Sequence, residues 1–248
     1  YFISRETGGI NFDINVNLNQ KKFKIENINF KKNNNFITKL NIIGSFLPSE
    51  KLILNKLSIL DKKNKIKISN LVFDKDYLFI ELDNAHFDYI DNEDKENQFI
   101  IKREENNSYK LNGLFFNANT IVTNLLESKE NDEDKFLKNN VKIILNLNEV
   151  NLDEINFIKN LQGKVLIKDN KVFNANLSAN FGNNNNINFT IKTKDNQKIT
   201  KLFSSKAKPL VNRYKFIKGF DEGYLNFVSK KKDGKSISNL KIYDFKLK

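Results

Sequence analysis

The stretch Phe12-Asp13-Ile14-Asn15-Val16-Asn17-Leu18 alternates apolar and polar residues without a break. The same period of two recurs in Ile187-Asn188-Phe189-Thr190-Ile191 and along most of the chain. Successive side chains of a β-strand point to opposite faces, so this pattern is typical of strands with one apolar and one polar face. We therefore expect an all-β fold with a few short helices. The expected architecture is a long, curved and twisted antiparallel-rich sheet.

Short polar segments separate the predicted strands, and several of them favour tight turns. Asp233-Gly234 is the strongest hairpin signal in the chain. Parallel neighbours need a crossover of about a dozen residues or more, so turns this short predict antiparallel strands in meander order. The predicted strands are residues 12–18, 22–30, 36–46, 51–60, 65–73, 77–82, 85–90, 98–102, 108–116, 140–147, 163–168, 171–181, 186–193, 223–230 and 236–247.

Residues 119–139 form the best candidate boundary between two parts of the sheet. Thr120 is a candidate N-cap of a short helix, and the acidic segment 127–135 predicts a surface loop. This division gives an N-terminal part of the sheet at 1–118 and a C-terminal part at 140–248.

A second helix is predicted over residues 205–216. Ser205 is its candidate N-cap, and Pro209 falls in the first turn, where proline is tolerated. Leu210, Val211 and Tyr214 form an apolar stripe along this helix.

The chain carries a formal charge of +12, from 42 Lys and Arg against 30 Asp and Glu. Such an excess is typical of proteins that bind nucleic acid or an anionic membrane surface. Arg, which base and phosphate recognition favours for its bidentate fork, occurs only as Arg5, Arg103 and Arg213. The abundance of Lys, Asn, Ile and Phe is instead typical of an AT-rich genome. We expect solvated strand faces, no nucleic-acid partner, and weak attraction to anionic headgroups as a secondary effect.

The sequence offers little catalytic chemistry. His86 is the only histidine, it falls on the polar face of a predicted strand, and no nucleophile motif accompanies it. The chain has no Cys and no Trp, and it has no phosphate-binding loop. An enzyme that cleaves carbohydrates with paired carboxylates stays open as a weaker hypothesis. We expect a protein that is not an enzyme and that uses no cofactor and no metal.

The C-terminal half carries a characteristic order of motifs. It consists of Gly163 to Val172, Ala175 to Gly182, the predicted helix, Gly219 to Phe227 and Leu240 to Leu247, preceded by Leu111 to Leu126. This order resembles the AsmA-like proteins of Gram-negative bacteria, in particular the large alphaproteobacterial members related to YhdP. The resemblance covers roughly residues 110–248, and its motif is structural.

The resemblance implies a bridge-type lipid carrier of the cell envelope. Such a protein is anchored in the inner membrane by an N-terminal helix, and its long β-groove crosses the periplasm. The implied partners are phospholipid acyl chains, with other envelope proteins as further partners, and the implied role is outer-membrane homeostasis. The chain contains no Met, so we expect a fragment or a processed form whose anchor lies outside it.

The apolar face of the predicted sheet must be shielded from water, and the sequence leaves two alternatives for what covers it. Alternation alone favours a second sheet, which would give a closed sandwich core and a structural or adhesive β-module. The family resemblance favours an open groove filled by lipid chains. The residues predicted to line this inner face are Phe12, Ile14, Val16, Leu18, Leu78, Ile80, Leu82, Ile143, Leu145, Phe173, Leu177, Phe181, Phe189, Ile191, Leu225 and Phe227.

Overall fold

A computed structural model describes residues 1–6, 8–19, 22–32, 36–121, 136–182, 185–214 and 218–248. Within these residues, sixteen strands join in one sheet and two further short strands form a separate ribbon. The large sheet is open, with β1 (Phe2–Glu6) at one edge and β18 (Lys235–Leu247) at the other. The prediction of an all-β, antiparallel-rich open sheet with a few short helices is confirmed.

The strands follow one another along the sheet almost in chain order, with β8 pairing only with β7 and the ribbon formed by β3 and β4. Between the edges the strands are β2 Gly9–Leu18, β3 Lys24–Ile25, β4 Phe30–Lys31, β5 Thr38–Phe46, β6 Leu52–Leu60, β7 Lys65–Phe73, β8 Phe79–Glu81, β9 Asn84–Ile90, β10 Glu96–Arg103, β11 Ser108–Asn117, β12 Val141–Asn151, β13 Phe157–Lys168, β14 Lys171–Asn180, β15 Asn186–Lys194, β16 Gln197–Ser204 and β17 Phe220–Lys232.

Adjacent strands are antiparallel along the whole path except at one place, where β11 and β12 are parallel. These two strands flank the predicted boundary at 119–139 and pair directly, for example Leu111 with Leu145. A parallel connection must return the chain to the starting end of the sheet, so this link has to be long, whereas short turns suffice between β13 and β14, β15 and β16, and β17 and β18. The sheet therefore continues without interruption across the predicted boundary.

Three predicted turns have the backbone that tight hairpins require. Asp169-Asn170, Asp195-Asn196 and Asp233-Gly234 all have positive φ at both positions, between 48° and 76°. Type I′ turns need this left-handed conformation, and Asn, Asp and Gly adopt it at the lowest cost. Local turn chemistry thus fixes the hairpins β13–β14, β15–β16 and β17–β18.

The predicted strand at residues 22–30 is wrong. Lys24–Ile25 and Phe30 are extended, but a helical turn at Glu26–Ile28 separates them and Asn29 is left-handed with φ 52°. The chain then returns as β4 beside β3, giving the small ribbon. The apolar residues of this segment alternate as in a strand, but a left-handed Asn reverses the chain.

Two strands and one helix boundary also differ from the prediction. Phe2–Glu6 and Gln197–Ser204 form strands that the alternation did not reveal. The C-terminal helix, α1, is Lys208–Tyr214, and Ser205 precedes it without capping it, since its hydroxyl donates to the Asn186 carbonyl. Pro209 does lie in the first turn, as predicted.

Some predictions fall outside the described residues. The acidic loop at 127–135 and most of the short helix after Thr120 belong to this group, although residues 119–121 are helical. Part of the asparagine-rich tip at 183–186 is also outside.

One face of the sheet, here called the inner face, carries the hydrophobic core. Ile66, Phe87, Phe99 and Leu147 are directly opposed or neighbouring on this face, and each is 6% exposed or less. The buried cluster extends from β6 to β14 and includes Phe30 of the ribbon. The core is therefore a layer along the inner face, covered locally by short segments.

Candidate functional site

A single row of residues crosses the inner face from β2 to β18, with one residue on each strand. Each member is the direct cross-strand partner of the next, so all lie on the same face. All of them are apolar apart from one glycine. This central row is Ile14, Ile42, Leu57, Ile68, Ala85, Ile101, Leu111, Leu145, Gly163, Leu177, Phe189, Leu202, Phe227 and Leu240.

The central row is long compared with a lipid. Neighbouring strands lie about 4.8 Å apart, so a row over fourteen strands runs for about 60 Å along the sheet. The hydrocarbon core of a bilayer is about 30 Å thick. The row therefore offers a continuous apolar track rather than a pocket for one small molecule.

Most residues of the central row are neither fully buried nor fully exposed to solvent. Ala85 is buried at 1% and Leu240 is 47% exposed, whereas the other members are half-buried. In a closed sandwich, a facing sheet would bury such positions almost completely. The described residues contain one large sheet and a two-stranded ribbon, so no second large sheet covers the row.

A covering segment, residues 22–32, closes one side of the row over β6 to β10. Phe30 is 0% exposed and packs edge-on against Tyr89 with 5.8 Å between ring centroids. The Tyr89 hydroxyl donates a 2.7 Å hydrogen bond to the Ile28 carbonyl, and burial raises the pKa of this phenol, with Asp91 contributing. The segment is thus fixed by both apolar packing and a polar contact.

The helix α1 covers the same side of the row farther along, over β16 to β18. Val211 packs into a buried cluster with Phe220 and Leu225 of β17. Lys208 donates a 2.8 Å hydrogen bond to Asp221, and this bond, with a second one from Lys248, lowers the pKa of the Asp221 carboxyl. The Lys208–Asp221 ion pair ties the helix to the strand beneath it.

A third cover lies on the other side of the row, near β8. Phe136 stacks on Phe79 with 6.0 Å between ring centroids, and Phe79 packs into a buried cluster with Tyr109 and Val141. Backbone hydrogen bonds join Phe79 to Phe136 and to Lys138. Apart from Ala85, the members of the row between these covers stay partly accessible.

The opposite face of the same strands is mainly polar. The row directly beside the central row, one residue along each strand, has its side chains on that outer face. From β6 to β18 it contains Lys, Asn, Ser or Thr at all but two positions. Its members are Lys56, Ser69, Asn84, Lys102, Lys110, Ile144, Lys164, Asn176, Thr190, Lys201, Val228 and Asn239.

Most of the residues predicted to line the inner face lie on it. Five belong to the central row itself: Ile14, Leu145, Leu177, Phe189 and Phe227. Another seven lie beside it on the same face or pack against its buried clusters: Phe12, Val16, Leu18, Leu82, Ile143, Ile191 and Leu225. Phe181, just after β14, also packs against the main cluster.

Three predicted residues are placed differently. Leu78 and Ile80 are half-buried and belong to no inner-face cluster, because Phe79 between them takes the buried position. Phe173 lies at a register shift between β13 and β14, and the Lys168 ammonium sits 4.2 Å from its ring centroid. A bulge changes which side chains face inward, and alternation along one strand does not reveal it.

The single histidine and the two surface depressions of the described residues lie apart from the central row. His86 lies on the outer face, opposite Lys67 and Ile100. Among the described residues there is no group of three or more His, Asp or Glu placed to hold a metal ion, and no helix is long and apolar enough to span a membrane. Two shallow depressions are lined mainly by polar side chains, and neither includes a residue of the central row.

No protein-family model matches this chain, and no curated protein or solved structure matches it either.

Proposed function

We propose that this chain is a section of a lipid carrier, in which acyl chains lie along the central row and headgroups remain in water. The observation that carries the proposal is the continuity of the row. It stays apolar over fourteen strands and stays half-buried over nearly all of them. Soluble proteins rarely expose a continuous apolar surface of this length unless a ligand or a partner covers it.

The energetics of a lipid favour a track of this kind. A 16-carbon chain that leaves a bilayer loses about 12 kcal/mol of apolar burial, at ~0.8 kcal/mol per methylene. Contact with Leu177, Phe189 and Leu202, which oppose one another on neighbouring strands, compensates for that loss locally. The next strands offer the acyl chain the same apolar contact. The acyl chain therefore moves along the row without first having to dissociate from a tight binding site.

The family resemblance of the C-terminal half supports the same proposal. The proposed protein is an AsmA-like carrier of phospholipids between the inner and outer membranes, and it is not an enzyme. Its apolar row serves as the lipid path, and the polar outer face meets the aqueous periplasm.

A charge introduced into the row tests the proposal. Leu177→Asp places a carboxylate in the path of the acyl chain, whereas Asn176→Asp places the same group on the exposed outer face of the same strand. The assay is the uptake of fluorescent phospholipid by the purified protein, with unfolding followed in parallel. We expect Leu177→Asp to abolish uptake with the fold retained, and Asn176→Asp to leave uptake unchanged.

Equal uptake by both variants would refute a lipid path along the row. Unfolding of Leu177→Asp alone would indicate a sealed core, because burial of an unpaired charge is strongly unfavourable. That outcome would favour a structural or adhesive β-module instead.

A further inference from the structure

The strand at one edge of the sheet, β18, is long and almost entirely exposed. It spans thirteen residues, and all of them except Ile242 are exposed to solvent. Within the described residues, β18 pairs only with β17. An edge strand presents a row of unpaired N–H and C=O groups, with which another strand can pair. The backbone chemistry of this edge therefore favours an extended segment as its partner.

The two edges of the sheet differ in length and in apolar exposure. At the other edge, β1 has five residues, and two of them, Arg5 and Glu6, are charged. Short length and charge are common means by which proteins keep an edge strand unpaired. The longer edge strand, β18, exposes five large apolar side chains: Ile237, Leu240, Tyr243, Phe245 and Leu247.

In one register, β18 is complementary to a second copy of itself. Placing Leu240 opposite Leu240 of the copy gives an antiparallel pair with two-fold symmetry. Asn239 then lies opposite Lys241, and Ile237 lies opposite Tyr243, whose ring already stacks on Tyr224 with 4.8 Å between centroids. Ile237 is 79% exposed in the single chain and gains an aromatic partner. No lysine of one β18 lies opposite a lysine of the other.

The neighbouring registers that keep both inner faces on one side are less favourable. A pair centred on Lys241 places this ammonium group opposite its own counterpart, and like charges in that position destabilise a strand pair. A pair centred on Asn239 places Ile237 opposite Lys241 and leaves the central row offset across the junction. The register centred on Leu240 avoids both defects.

The backbone of β18 limits the length of the regular ladder. Asp244 is left-handed with φ 50°, so the extended backbone is interrupted there. A symmetric ladder extends equally to both sides of its centre, and with Leu240 at the centre its regular part is residues 237–243. Such a ladder is small beside a standard interface of about 800 Å² per partner. We therefore expect a dimer that dissociates on dilution.

We infer that β18 pairs with β18 of a second copy of this chain, which gives a symmetric dimer with one sheet continuous across the junction. Leu240 belongs to the central row. Its pairing with itself joins the two central rows on the same face, over about 130 Å at ~4.8 Å between strands. The inference goes beyond the proposed function and does not depend on what occupies the row.

Charge placed at the two edges tests which of them forms the contact. Sedimentation velocity measures dimerisation of the lipid-free protein over roughly a hundredfold range of concentration. Leu240→Lys puts two ammonium groups opposite each other at the two-fold axis, so we expect it to weaken dimerisation by about tenfold or more. Ile3→Lys adds the same charge to the exposed side of β1 and should leave dimerisation unchanged. Circular dichroism checks that both variants keep the sheet.

Cysteine cross-linking tests the register without adding charge. The chain has no cysteine, so each single-cysteine variant reports one position. Directly opposed residues of antiparallel strands have Cα atoms about 4.5–5.5 Å apart, which is within the range of a disulfide. Under copper–phenanthroline oxidation, we expect Leu240→Cys to give a covalent dimer. Asn239→Cys, which lies on the outer face opposite Lys241 of the copy, should stay largely monomeric.

Four results would overturn the inference. The first is a monomer at every concentration, and the second is a dimer that Leu240→Lys does not weaken. The third is a loss of dimer in Ile3→Lys, or a disulfide between Leu240→Cys and Tyr1→Cys in a mixture, because either would assign the contact to β18 and β1. The fourth is equal cross-linking of Asn239→Cys and Leu240→Cys, which would indicate encounters without a fixed register.

Discussion

Two leucines on one strand distinguish an accessible row from a sealed core. Leu145 and Leu147 lie two residues apart on β12, so both face inward, but Leu147 is 1% exposed and Leu145 is half-buried. Leu147→Ala leaves a cavity among Phe99 and its neighbours and should lower the free energy of unfolding by about 2–5 kcal/mol. Leu145→Ala loses only part of its apolar burial and leaves no enclosed cavity, so it should cost about 1 kcal/mol.

Urea denaturation followed by far-UV circular dichroism measures both values in the free protein. Repeating it with dioctanoyl-phosphatidylglycerol adds a second contrast. Ligand at a hundredfold excess over its Kd stabilises the native state by about 2.7 kcal/mol. Leu147→Ala should keep that gain, whereas Leu145→Ala should lose part of it because the acyl chain contacts Leu145. A cost for Leu145→Ala as large as that for Leu147→Ala, with no effect of lipid, would refute an open row.

Three further changes test the parts that frame the row. Gly163→Ala should destabilise the sheet by about 1–3 kcal/mol, because Gly163 has φ 149° and an added Cβ would meet the Asn176 carbonyl; Gly8→Ala, in open space, serves as the control in the same urea titration. Tyr89→Phe should cost about 1 kcal/mol through its lost hydrogen bond to the covering segment, and faster proteolysis of residues 22–32 should accompany it. The pKa of Asp221 is lowered in the folded state, so its contribution is complete above pH ~4 and is lost as the pH falls; the stability difference between wild type and Asp221→Asn should therefore shrink on acidification.

The strands were predictable from the sequence because alternation and turn chemistry are local. In β15, Ile187, Phe189 and Ile191 alternate with polar residues, and the Asp195-Asn196 turn marks where the strand ends. Gln197–Ser204 lacks a clean alternation, since Leu202 and Phe203 are adjacent. Pairing with β15 and β17 makes it a strand, and a single-strand pattern does not contain that information.

The central row was only partly predictable, because it depends on the register of fourteen strands. Bulges shift that register, as at Phe173, and the burial of Phe79 in place of Ile80 follows from contacts with β11 and β12. The parallel pairing of β11 with β12 joins Leu111 to Leu145 across a long connection. The sequence predicted an apolar face, whereas the continuity of one row across the sheet comes from long-range pairing.

The segments that cover the row could not be predicted from local sequence patterns either. The segment around Ile28 and Phe30 looks like a strand in sequence, yet Asn29 turns it so that Phe30 packs onto Tyr89. Its apolar residues are therefore part of the inner-face core rather than another strand of the sheet. These covers leave the central row half-buried, and on that property the proposed function depends.

Photocrosslinking at two phenylalanines of neighbouring strands tests the lipid path most directly. Phe189 lies in the central row, and Phe203 on β16 lies on the outer face. Each is replaced in turn by p-benzoylphenylalanine, the protein is irradiated in the presence of phospholipid vesicles, and adducts are identified by mass spectrometry. The account predicts phospholipid adducts at position 189 and none at position 203. Equal labelling at both positions, or labelling at 203 alone, would contradict a lipid path along the central row.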